Sequence, residues 1–393
     1  MPVRYTPPTP DQLLPVPGVT LGTVAARIKK WHRDDLLLAA FEPGATAAGV
    51  FTQNRFCAAP VIVCRRHLEG DARIRAIVVN AGNANAGTGD AGIAAAEATC
   101  AAVASMLGCA PREVLPFSTG VIMEALPVDK IVAALPAARA ALGADHWFQA
   151  VSAIMTTDTV PKTAGVTGDG WMVGGMAKGA GMLAPGLATM LCVLTTDAVV
   201  DPAGCDAALR VATARTFDRV DSDGCMSTND TVLLLASGAS GVAPEPAAFA
   251  AAVERLCADL CRQLLTDAEG ATKDIAIEVV GAATEADAIE VGRAVARSNL
   301  LKCAFFGNDP NWGRVLAAVG TTSAAFEPDA LDVAINGVQV CRAGGAGEPR
   351  ELVDLSGRDI AVLVDLHAGL ATATVWTNDL SLAYVHENSA YST

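Results

Sequence analysis

The sequence predicts a mixed α/β (α+β) protein of layered sheets, with a smaller β-rich lobe toward the C-terminus. Apolar runs of strand length and helical segments are interspersed along most of the chain, without the regular alternation that a barrel requires. Strand-like runs dominate its last part. The chain has 393 residues, of which 52% are hydrophobic, and this is enough for one large layered body with an appended lobe.

The first half of the chain predicts several short strands and two helices. Apolar runs between turn residues predict strands at residues 36–41, 49–52, 60–64, 74–79 and 114–118. A loop rich in Asn and Gly is expected at 80–89, followed by a helix of small residues at 90–107. A second helix is expected at 128–135, where Pro136 interrupts it.

Capping residues and hydrophobic spacing predict the elements of the second half. Asp201 and Pro202 supply an N-cap and a first-turn proline for a helix that reaches about residue 216. Thr284 with Asp287 resembles a capping box that opens a helix to about residue 298. An amphipathic helix is predicted by the spacing of Phe249, Val253, Leu256, Leu260 and Leu264. Strands are expected at 230–237, on both sides of the Asn336-Gly337 hairpin turn, and as a mutually paired set at 360–366 and 370–377.

The composition argues against several classes of partner. Lys and Arg number 28 against 42 Asp and Glu, a net charge of −14, so the chain is a poor candidate for binding nucleic acid or an anionic membrane. No apolar signal-peptide core and no run approaching the ~20 apolar residues of a membrane span is expected. The eleven cysteines lack a C-x-x-C pair, and Cys257 and Cys261 fall in a helical stretch that predicts burial. Reduced thiols in a cytoplasmic protein fit this usage best.

A glycine motif at residues 87–92 matches G-x-G-x-x-G between a predicted strand and a predicted helix. A dinucleotide site places the first glycine directly at the end of the strand, so that the pyrophosphate meets the helix N-terminus. Here residues 80–86 intervene. The motif is therefore interpreted as a glycine turn that caps a tightly packed helix. Asn80, Asn83 and Asn85 either line a polar cleft or satisfy the loop backbone.

A second motif, Asp221-Ser222-Asp223-Gly224, resembles the start of a calcium loop. Such a loop needs glycine at its sixth position and glutamate at its twelfth, and these positions hold Met226 and Val232. The five histidines show no spacing typical of a zinc cluster. No metal site is expected.

The missing motifs narrow the choice of nucleophile. The sequence contains neither G-x-S-x-G nor a cysteine–histidine signature. A Thr, Ser or Cys at a newly made chain N-terminus needs no histidine, because its own α-amine serves as the base. That amine has an ordinary pKa of ~7.7–8.0, close to neutral pH.

Thr189 is placed as such a nucleophile requires. It opens a β-prone run, follows the small residue Ala188, and comes after the glycine- and proline-rich segment 179–187. From this position its hydroxyl can attack the preceding carbonyl and cut the chain. The local pattern is not specific, since an ordinary strand that starts with Thr after a glycine loop looks the same.

The whole chain resembles the ornithine acetyltransferases, also called glutamate N-acetyltransferases or the ArgJ family. The resemblance is carried by seven segments in order from residue 80 to the C-terminus: NAGNANAGTG at 80–89, STGVI at 118–122, MTTDT at 155–159, 178–191 around the Ala188-Thr189 pair, STNDT at 227–231, DPNWGR at 309–314 and ENSAYST at 387–393. Seven landmarks in one order are too many for chance.

The resemblance implies an ArgJ/DmpA-like fold of the N-terminal-nucleophile type and self-cleavage between Ala188 and Thr189. The products are an α chain, 1–188, and a β chain, 189–393, that stay associated, usually as an α2β2 heterotetramer. Family members move an acetyl group from N-acetylornithine to glutamate in arginine biosynthesis. They need no cofactor, and some also accept acetyl-CoA as acetyl donor.

The resemblance also implies a role for individual residues. Thr189 is the nucleophile, and the Thr119 hydroxyl with the Gly120 N–H donates to the developing oxyanion. Without the resemblance, Thr119-Gly120 reads as an ordinary turn after a strand. Lys178 pairs with the substrate carboxylate and Glu269 with its amino group. Hydroxyl contacts come from Thr156 or Thr157, and the C-terminal residues that close the site are Asn388 and Thr393.

One departure from the family pattern S-T-G-V-I-G-E is visible, since Met123 stands where the glycine is expected. This larger residue is expected to alter packing behind the oxyanion donors. Two alternatives to an acetyltransferase stay open at this point: an amidohydrolase or aminopeptidase of similar architecture, and a non-catalytic binding protein that kept the fold.

Overall fold

The computed structural model describes residues 15–70, 73–184 and 190–390. Two sheets face each other in its main body. The first sheet has the order β1-β2-β4-β5, with bounds Val19–Val24, Leu36–Phe41, Ala76–Asn83 and Val114–Val121. Its β4 and β5 are parallel and its other pairs are antiparallel.

The second sheet takes strands from distant parts of the chain. Its members are β3 (Thr46–Phe51), β6 (Lys162–Thr167), β7 (Met172–Lys178), β8 (Leu191–Thr196) and β9 (Thr231–Ala236). They run in the order β3-β9-β8-β7-β6, with β8 parallel to β9 and antiparallel to β7. The two sheets bury a shared apolar core between them, to which both contribute side chains such as Leu37, Ile77, Met176, Val193 and Leu233.

Helices cover the outer faces of both sheets. The helices on the side of the first sheet are α1 (Ala59–His67), α2 (Gly89–Leu107) and α3 (Val128–Ala140), and the second sheet is covered by α5 (Pro202–Arg215) and α6 (Pro246–Thr266). The short α4 (Trp147–Ile154) packs into the core between the sheets. The result is a four-layer α-β-β-α body, which confirms the predicted layered α/β fold.

The C-terminal lobe is a separate layer of sheet and helices. Its sheet has the order β13-β12-β11-β14-β10-β15, with bounds Gly345–Ala346, Val338–Arg342, Asp332–Ile335, Asp359–Asp365, Asp274–Ala282 and Ala371–Asn378. One face packs on α7 (Glu285–Ala296), α8 (Asn299–Phe306) and α9 (Trp312–Val319). A last helix, α10 (Leu382–Ala390), leads back toward the main body.

Most of the predicted elements lie where the sequence places them. The strand at 36–41 has the predicted bounds, and α2, α5, α6 and α7 are close to the expected ranges. The Asp201 carboxylate accepts the Gly204 N–H at the start of α5, and the Thr284 hydroxyl accepts the Asp287 N–H at the start of α7. Cys257 and Cys261 are buried and unpaired, as predicted.

Four local predictions are wrong for identifiable reasons. Residues 60–64 belong to α1, because Pro60 stands in a first helical turn, where its missing N–H costs nothing. Strand β4 continues into the predicted loop, as far as Asn83. Pro136 does not end α3, since it lies on the exposed face of that helix. The strands at 359–365 and 371–378 do not pair with each other, because β10 lies between them and bonds to both.

The 19-residue α2 is long and apolar enough, by length and composition, to cross a membrane. This differs from the expectation that no segment approaches such a span. In the fold, α2 packs on the first sheet and buries Cys100, Val103 and Ala104 in its core. Core helices of globular proteins have the same character.

Candidate active site

A cavity of about 1140 Å³ opens between the main body and α10. The predicted site residues that line it are Thr119, Gly120, Thr156, Thr157, Lys178, Glu269 and Asn388. Met190 and Leu191, the two residues after the predicted nucleophile, also line it. The predictions for Ala188, Thr189 and Thr393 fall outside the described residues. The structure thus brings together every predicted site residue that it describes.

Thr119 and Gly120 lie at the end of β5, where it runs beside β4. Gly120 has φ +129°, a conformation that L side chains rarely adopt. A Cβ on Gly120 would lie 2.3 Å from the carbonyl carbon of Gly82, the residue opposite it on β4. The two strands can approach this closely only with glycine here. Thr119-Gly120 is therefore a constrained strand end and not an ordinary turn.

Asn229 fixes the backbone around this strand end. Its buried Nδ2 donates to the carbonyl of Ala84 at 2.7 Å and to that of Ser118 at 2.8 Å. The Ser118 hydroxyl in turn donates to Asn80 Oδ1 at 2.6 Å. Asn229 was not predicted as a site residue, although it lies in the STNDT segment that carries the family resemblance.

The three asparagines of the first glycine-rich segment serve the loop backbone. Asn80 Nδ2 donates to the Asn83 carbonyl, Asn83 Oδ1 accepts the Asn85 N–H, and Asn85 Nδ2 donates to the Gly92 carbonyl. Of the two interpretations of these residues, the structure supports the second, satisfaction of the loop backbone.

Lys178 is a buried cation at the end of β7. Its Nζ donates to Thr156 Oγ1 at 2.7 Å and to Thr119 Oγ1 at 3.2 Å. Burial lowers the pKa of Lys178, and the charge of Asp158, 3.8 Å from Nζ, opposes that shift. Thr156, rather than Thr157, is therefore the threonine bonded to Lys178, while both line the cavity.

Asp158 lies behind Lys178 and was missed by the sequence analysis. Its Oδ1 accepts the Gly179 N–H at 2.6 Å and a hydrogen from Lys162 Nζ at 2.8 Å. Burial raises the pKa of Asp158, but the charges of Lys178 and Lys162 outweigh it and hold that pKa well below its usual range. Lys162 is itself fully buried and also contacts Asp267 at 2.5 Å. Asp158 is therefore an ionised carboxylate between two buried lysines.

Glu269 and Asn388 meet on the other side of the cavity. Asn388 Nδ2, on α10, donates to Glu269 Oε2 at 3.1 Å. Glu269 lies against Gly181, where a Cβ would come within 2.6 Å of the carboxylate. Tyr384 of α10 lines the same side, and burial, with Asp223, Cys225 and Glu269 nearby, raises its pKa to about 12. This side of the cavity is acidic and suits an ammonium group.

The segment 221–224, which resembles the start of a calcium loop, makes hydrogen bonds within the protein. Asp221 Oδ2 accepts from Arg297 at 2.6 Å, and Asp223 Oδ1 accepts the Cys225 N–H at 3.0 Å. Within the described ranges, no three His, Cys, Asp or Glu side chains are grouped as a metal site requires.

Met123 does not pack behind the predicted oxyanion donors, contrary to expectation. It is 78% exposed and does not line the cavity. Its φ of +64° lies in the left-handed region that favours glycine. The departure from the family pattern therefore places backbone strain at the surface, while Thr119 and Gly120 line the cavity.

Comparison with known proteins identifies the family. The model of the ArgJ family matches residues 20–393. The chain is 59% identical over 376 residues to the arginine biosynthesis bifunctional protein ArgJ of Streptomyces avermitilis, covering 95% of this chain and 98% of that one. It is 56% identical over 377 residues to the protein of the same name from Thermobifida fusca, covering 96% and 98%.

Among solved structures, a chain of ornithine acetyltransferase complexed with ornithine from Mycobacterium tuberculosis is 41% identical, with a TM-score of 0.42 and coverage of 45% of this chain and 94% of that one. The match of the family model and the identity to full-length relatives agree with the residues gathered in the cavity. This chain belongs to the ArgJ family.

Proposed function

We propose that this protein transfers an acetyl group from N2-acetyl-L-ornithine to L-glutamate, in arginine biosynthesis. Its relatives are named arginine biosynthesis bifunctional protein ArgJ, and a solved relative is an ornithine acetyltransferase complexed with ornithine. The observation that carries the proposal is the single cavity that joins Thr119, Gly120, Lys178 and Glu269 beside the start of β8. These groups supply oxyanion donors, a cation and an anion for an acetylated amino acid.

The proposed reaction begins with cleavage of the chain between Ala188 and Thr189. The products are an α chain, 1–188, and a β chain, 189–393, whose first residue carries a free α-amine. Support comes from Met190, which lies at the cavity wall with its N–H donated to Asp230 Oδ1 at 3.1 Å. The described backbone that follows the proposed cut therefore begins beside the cavity, at Met190.

The acetyl group then moves in two steps. The α-amine takes the proton of the Thr189 hydroxyl as its oxygen attacks the acetamide carbonyl. Thr119 and Gly120 stabilise the oxyanion, the C–N bond breaks, and the leaving amine takes the proton. Glutamate's neutral amine next attacks the acetyl-threonyl ester and the ester C–O bond breaks. A proton of that amine passes through the Thr189 α-amine to Oγ, which regenerates the hydroxyl. In this ping-pong scheme, Lys178 pairs with the α-carboxylate that donor and acceptor share.

The remaining contacts follow from the two sides of the cavity. Glu269 pairs with a substrate amino group, and Asn388 and Thr393 close the site. Thr156 and Thr157 supply hydroxyls on the Lys178 side. We further propose that acetyl-CoA is a second acetyl donor, that no resident cofactor is used, and that the cleaved chains work in the cytoplasm as an α2β2 heterotetramer.

The experiment that tests this proposal combines cleavage and turnover. Intact-mass analysis of purified protein is expected to give two fragments that meet at residues 188 and 189, and N-terminal sequencing of the second is expected to begin TMLCV. Thr189→Ala is expected to leave one uncut, inactive chain. Thr195→Ala changes a buried threonine elsewhere on β8 and is expected to cut normally. An uncut but active wild type, or a Thr189→Ala variant that is cut, contradicts the proposal.

Whether ornithine release depends on the acceptor, glutamate, distinguishes acetyl transfer from hydrolysis. Purified protein is incubated with N-acetylornithine, with and without glutamate, and ornithine is measured. Transfer requires glutamate for continued release of ornithine. Release that is independent of glutamate identifies an amidohydrolase instead.

A further inference from the structure

The Lys178 ammonium makes two hydrogen bonds whose direction is fixed by chemistry. A protonated lysine has three N–H donors and no lone pair, so it cannot accept a hydrogen bond. Thr119 Oγ1 at 3.2 Å and Thr156 Oγ1 at 2.7 Å must therefore both act as acceptors. The third N–H remains for the substrate carboxylate or for Asp158.

The Thr119 hydroxyl has a single proton, which cannot point at Lys178. No acceptor for this proton is found in the part of the chain that the structure describes. Thr119 lines the cavity beside Gly120, whose N–H is the other proposed donor. The proton of Thr119 is therefore available to a group bound in the cavity.

We propose that Lys178 is a positioning residue for the oxyanion donor: by donating to Thr119 Oγ1, it turns the Thr119 proton toward the substrate carbonyl and strengthens it as a donor. The inference rests on the proposed acetyl transfer. It adds to carboxylate binding a second task for Lys178, one that acts on the rate of acetylation itself.

Asp158 and Lys162 hold the ammonium in this position. Asp158 fixes the backbone after Lys178 by accepting the Gly179 N–H at 2.6 Å, and its Oδ2 lies 3.8 Å from Lys178 Nζ. Lys162 anchors Asp158 from behind and is itself anchored by Asp267. Four charges of alternating sign therefore lie in a row, and the last of them, Lys178, donates to the Thr119 hydroxyl. In order, they are Asp267, Lys162, Asp158 and Lys178.

The arrangement works only while Lys178 is protonated. A neutral amine has a lone pair, which can accept the Thr119 proton and withdraw it from the substrate. The charges of Asp158, Glu269 and Asp230 oppose loss of the Lys178 proton, while burial and the charge of Lys162 favour it. Asp158 therefore extends the pH range in which Thr119 is a donor.

The first test uses 4-nitrophenyl acetate, which carries no carboxylate or ammonium, so that carboxylate binding by Lys178 does not contribute. Lys178→Met is expected to slow acetylation, measured as the initial burst of 4-nitrophenolate per cleaved chain, by at least about tenfold. In a Thr119→Val background, Lys178→Met is expected to slow acetylation by less than about threefold, because the hydroxyl on which Lys178 acts is absent. The fraction of cleaved chain is measured by intact mass for every variant.

Two outcomes overturn the inference. A Lys178→Met effect that is seen only with N-acetylornithine and only in KM assigns carboxylate binding alone. Equal effects of Lys178→Met with and without Thr119 show that the lysine does not act through this hydroxyl. A wild type that is uncut or forms no acetyl-enzyme refutes instead the proposed function, so the two failures are distinguishable.

A second test uses Asp158→Asn, whose oxygen can still accept the Gly179 N–H. Loss of the negative charge is expected to shift the alkaline limb of the acetylation rate to lower pH. Asp206→Asn, in an exposed pair with Arg210, is the matched control and is expected to leave the profile unchanged. An unshifted alkaline limb in Asp158→Asn contradicts the role of Asp158.

Discussion

Single side chains fix the backbone around the cavity, and Asn229 shows how. One amide donates to the carbonyls of Ala84 and Ser118, which belong to the two segments that flank the proposed oxyanion donors, Thr119 and Gly120. Asn229 is 7% exposed, so water has little access to replace these bonds. A buried carbonyl left without a donor costs about 1–3 kcal/mol.

Asn229→Ala is accordingly expected to lower the free energy of unfolding by about 2–4 kcal/mol. It is also expected to lower kcat more than it raises KM, because the end of β5 loses its support. Denaturant unfolding and steady-state kinetics measure the two effects. Asn299→Ala, an exposed position at the start of α8, is expected to change stability by no more than about 0.5 kcal/mol.

Met123 gives a prediction of the opposite sign. Its left-handed φ of +64° costs an L residue about 1–2 kcal/mol in the folded state, and glycine avoids this cost. Glycine also makes the unfolded chain more flexible, which offsets part of the gain. Met123→Gly is therefore expected to stabilise the protein by about 0.5–1 kcal/mol in denaturant unfolding. Met123→Ala keeps the strained backbone and is not expected to stabilise. Equal effects of the two changes would show that φ is not the cause.

At the scale of elements, α10 differs from the other helices that line the cavity. No residue of α10 is buried. It is held by Asn388 on Glu269, by the Tyr384 N–H on Ser381 Oγ at 3.0 Å, and by close approach of its backbone to Gly270. A helix with so little buried surface contributes little to global stability.

Deleting residues 382–393 is therefore expected to change the free energy of unfolding by no more than about 1 kcal/mol. The same deletion is expected to lower kcat/KM for acetyl transfer by at least about 100-fold, because Asn388 no longer positions Glu269. Thermal unfolding and kinetics on cleaved protein measure the two effects. A large loss of stability, or retained activity, would show that α10 belongs to the core or lies outside the site.

Local patterns predicted the elements that local forces determine. The strand at 36–41 and the capped starts of α5 and α7 depend on nearby residues, and they were found as expected. The pairing of β14 and β15 was missed because β10, which separates them, lies more than 70 residues earlier in the chain. Sheet order depends on long-range contacts that hydrophobic spacing does not record.

The site was predicted through resemblance, and its supporting residues were not. Thr119, Gly120, Lys178 and Glu269, to which the resemblance assigns roles, meet in one cavity. Asp158 is a single acidic residue of the TTDT run, and its place between two buried lysines appears only once β6 and β7 pair. A lysine within a long apolar stretch, as at Lys178, is the one local signal that a partner carboxylate exists.

At the scale of the whole molecule, buried polar groups join the C-terminal lobe to the main body. Lys302, on α8, donates to the carbonyl of Ser222 and to Thr377 Oγ1 at 3.1 Å. Ser222 Oγ also donates to Asn378 Oδ1 at 2.7 Å. Burial lowers the pKa of Lys302 to about 8, against the opposing charges of Asp221, Asp223 and Asp379.

This pKa predicts a pH-dependent stability. Between about pH 8 and pH 10.5, the unfolded chain keeps the Lys302 proton while the folded protein has lost it. The unfolded state then binds more protons, so the contribution of Lys302 to stability rises with pH, by up to about 1.4 kcal/mol per pH unit. Below pH 8 both states hold the proton, and the contribution is constant.

The measurement is the difference in unfolding free energy between wild type and Lys302→Met across pH 7 to about 10.5. Other groups titrate in both proteins and cancel in this difference. Wild type is expected to gain stability relative to Lys302→Met as the pH rises. A flat difference would place the Lys302 pKa near its ordinary value.

The order of the second sheet, β3-β9-β8-β7-β6, determines the fate of a chain cut before Met190. Strands β3, β7 and β6 belong to the first fragment, and β9 and β8 lie between them as the contribution of the second. Neither fragment can leave without rupturing hydrogen bonds on both flanks of an inserted strand pair. When isotopically heavy and light cleaved proteins are mixed, each first fragment is therefore expected to stay with the second fragment of its own precursor. Mass analysis of the intact complexes is expected to find no heavy–light pairing of the two fragments.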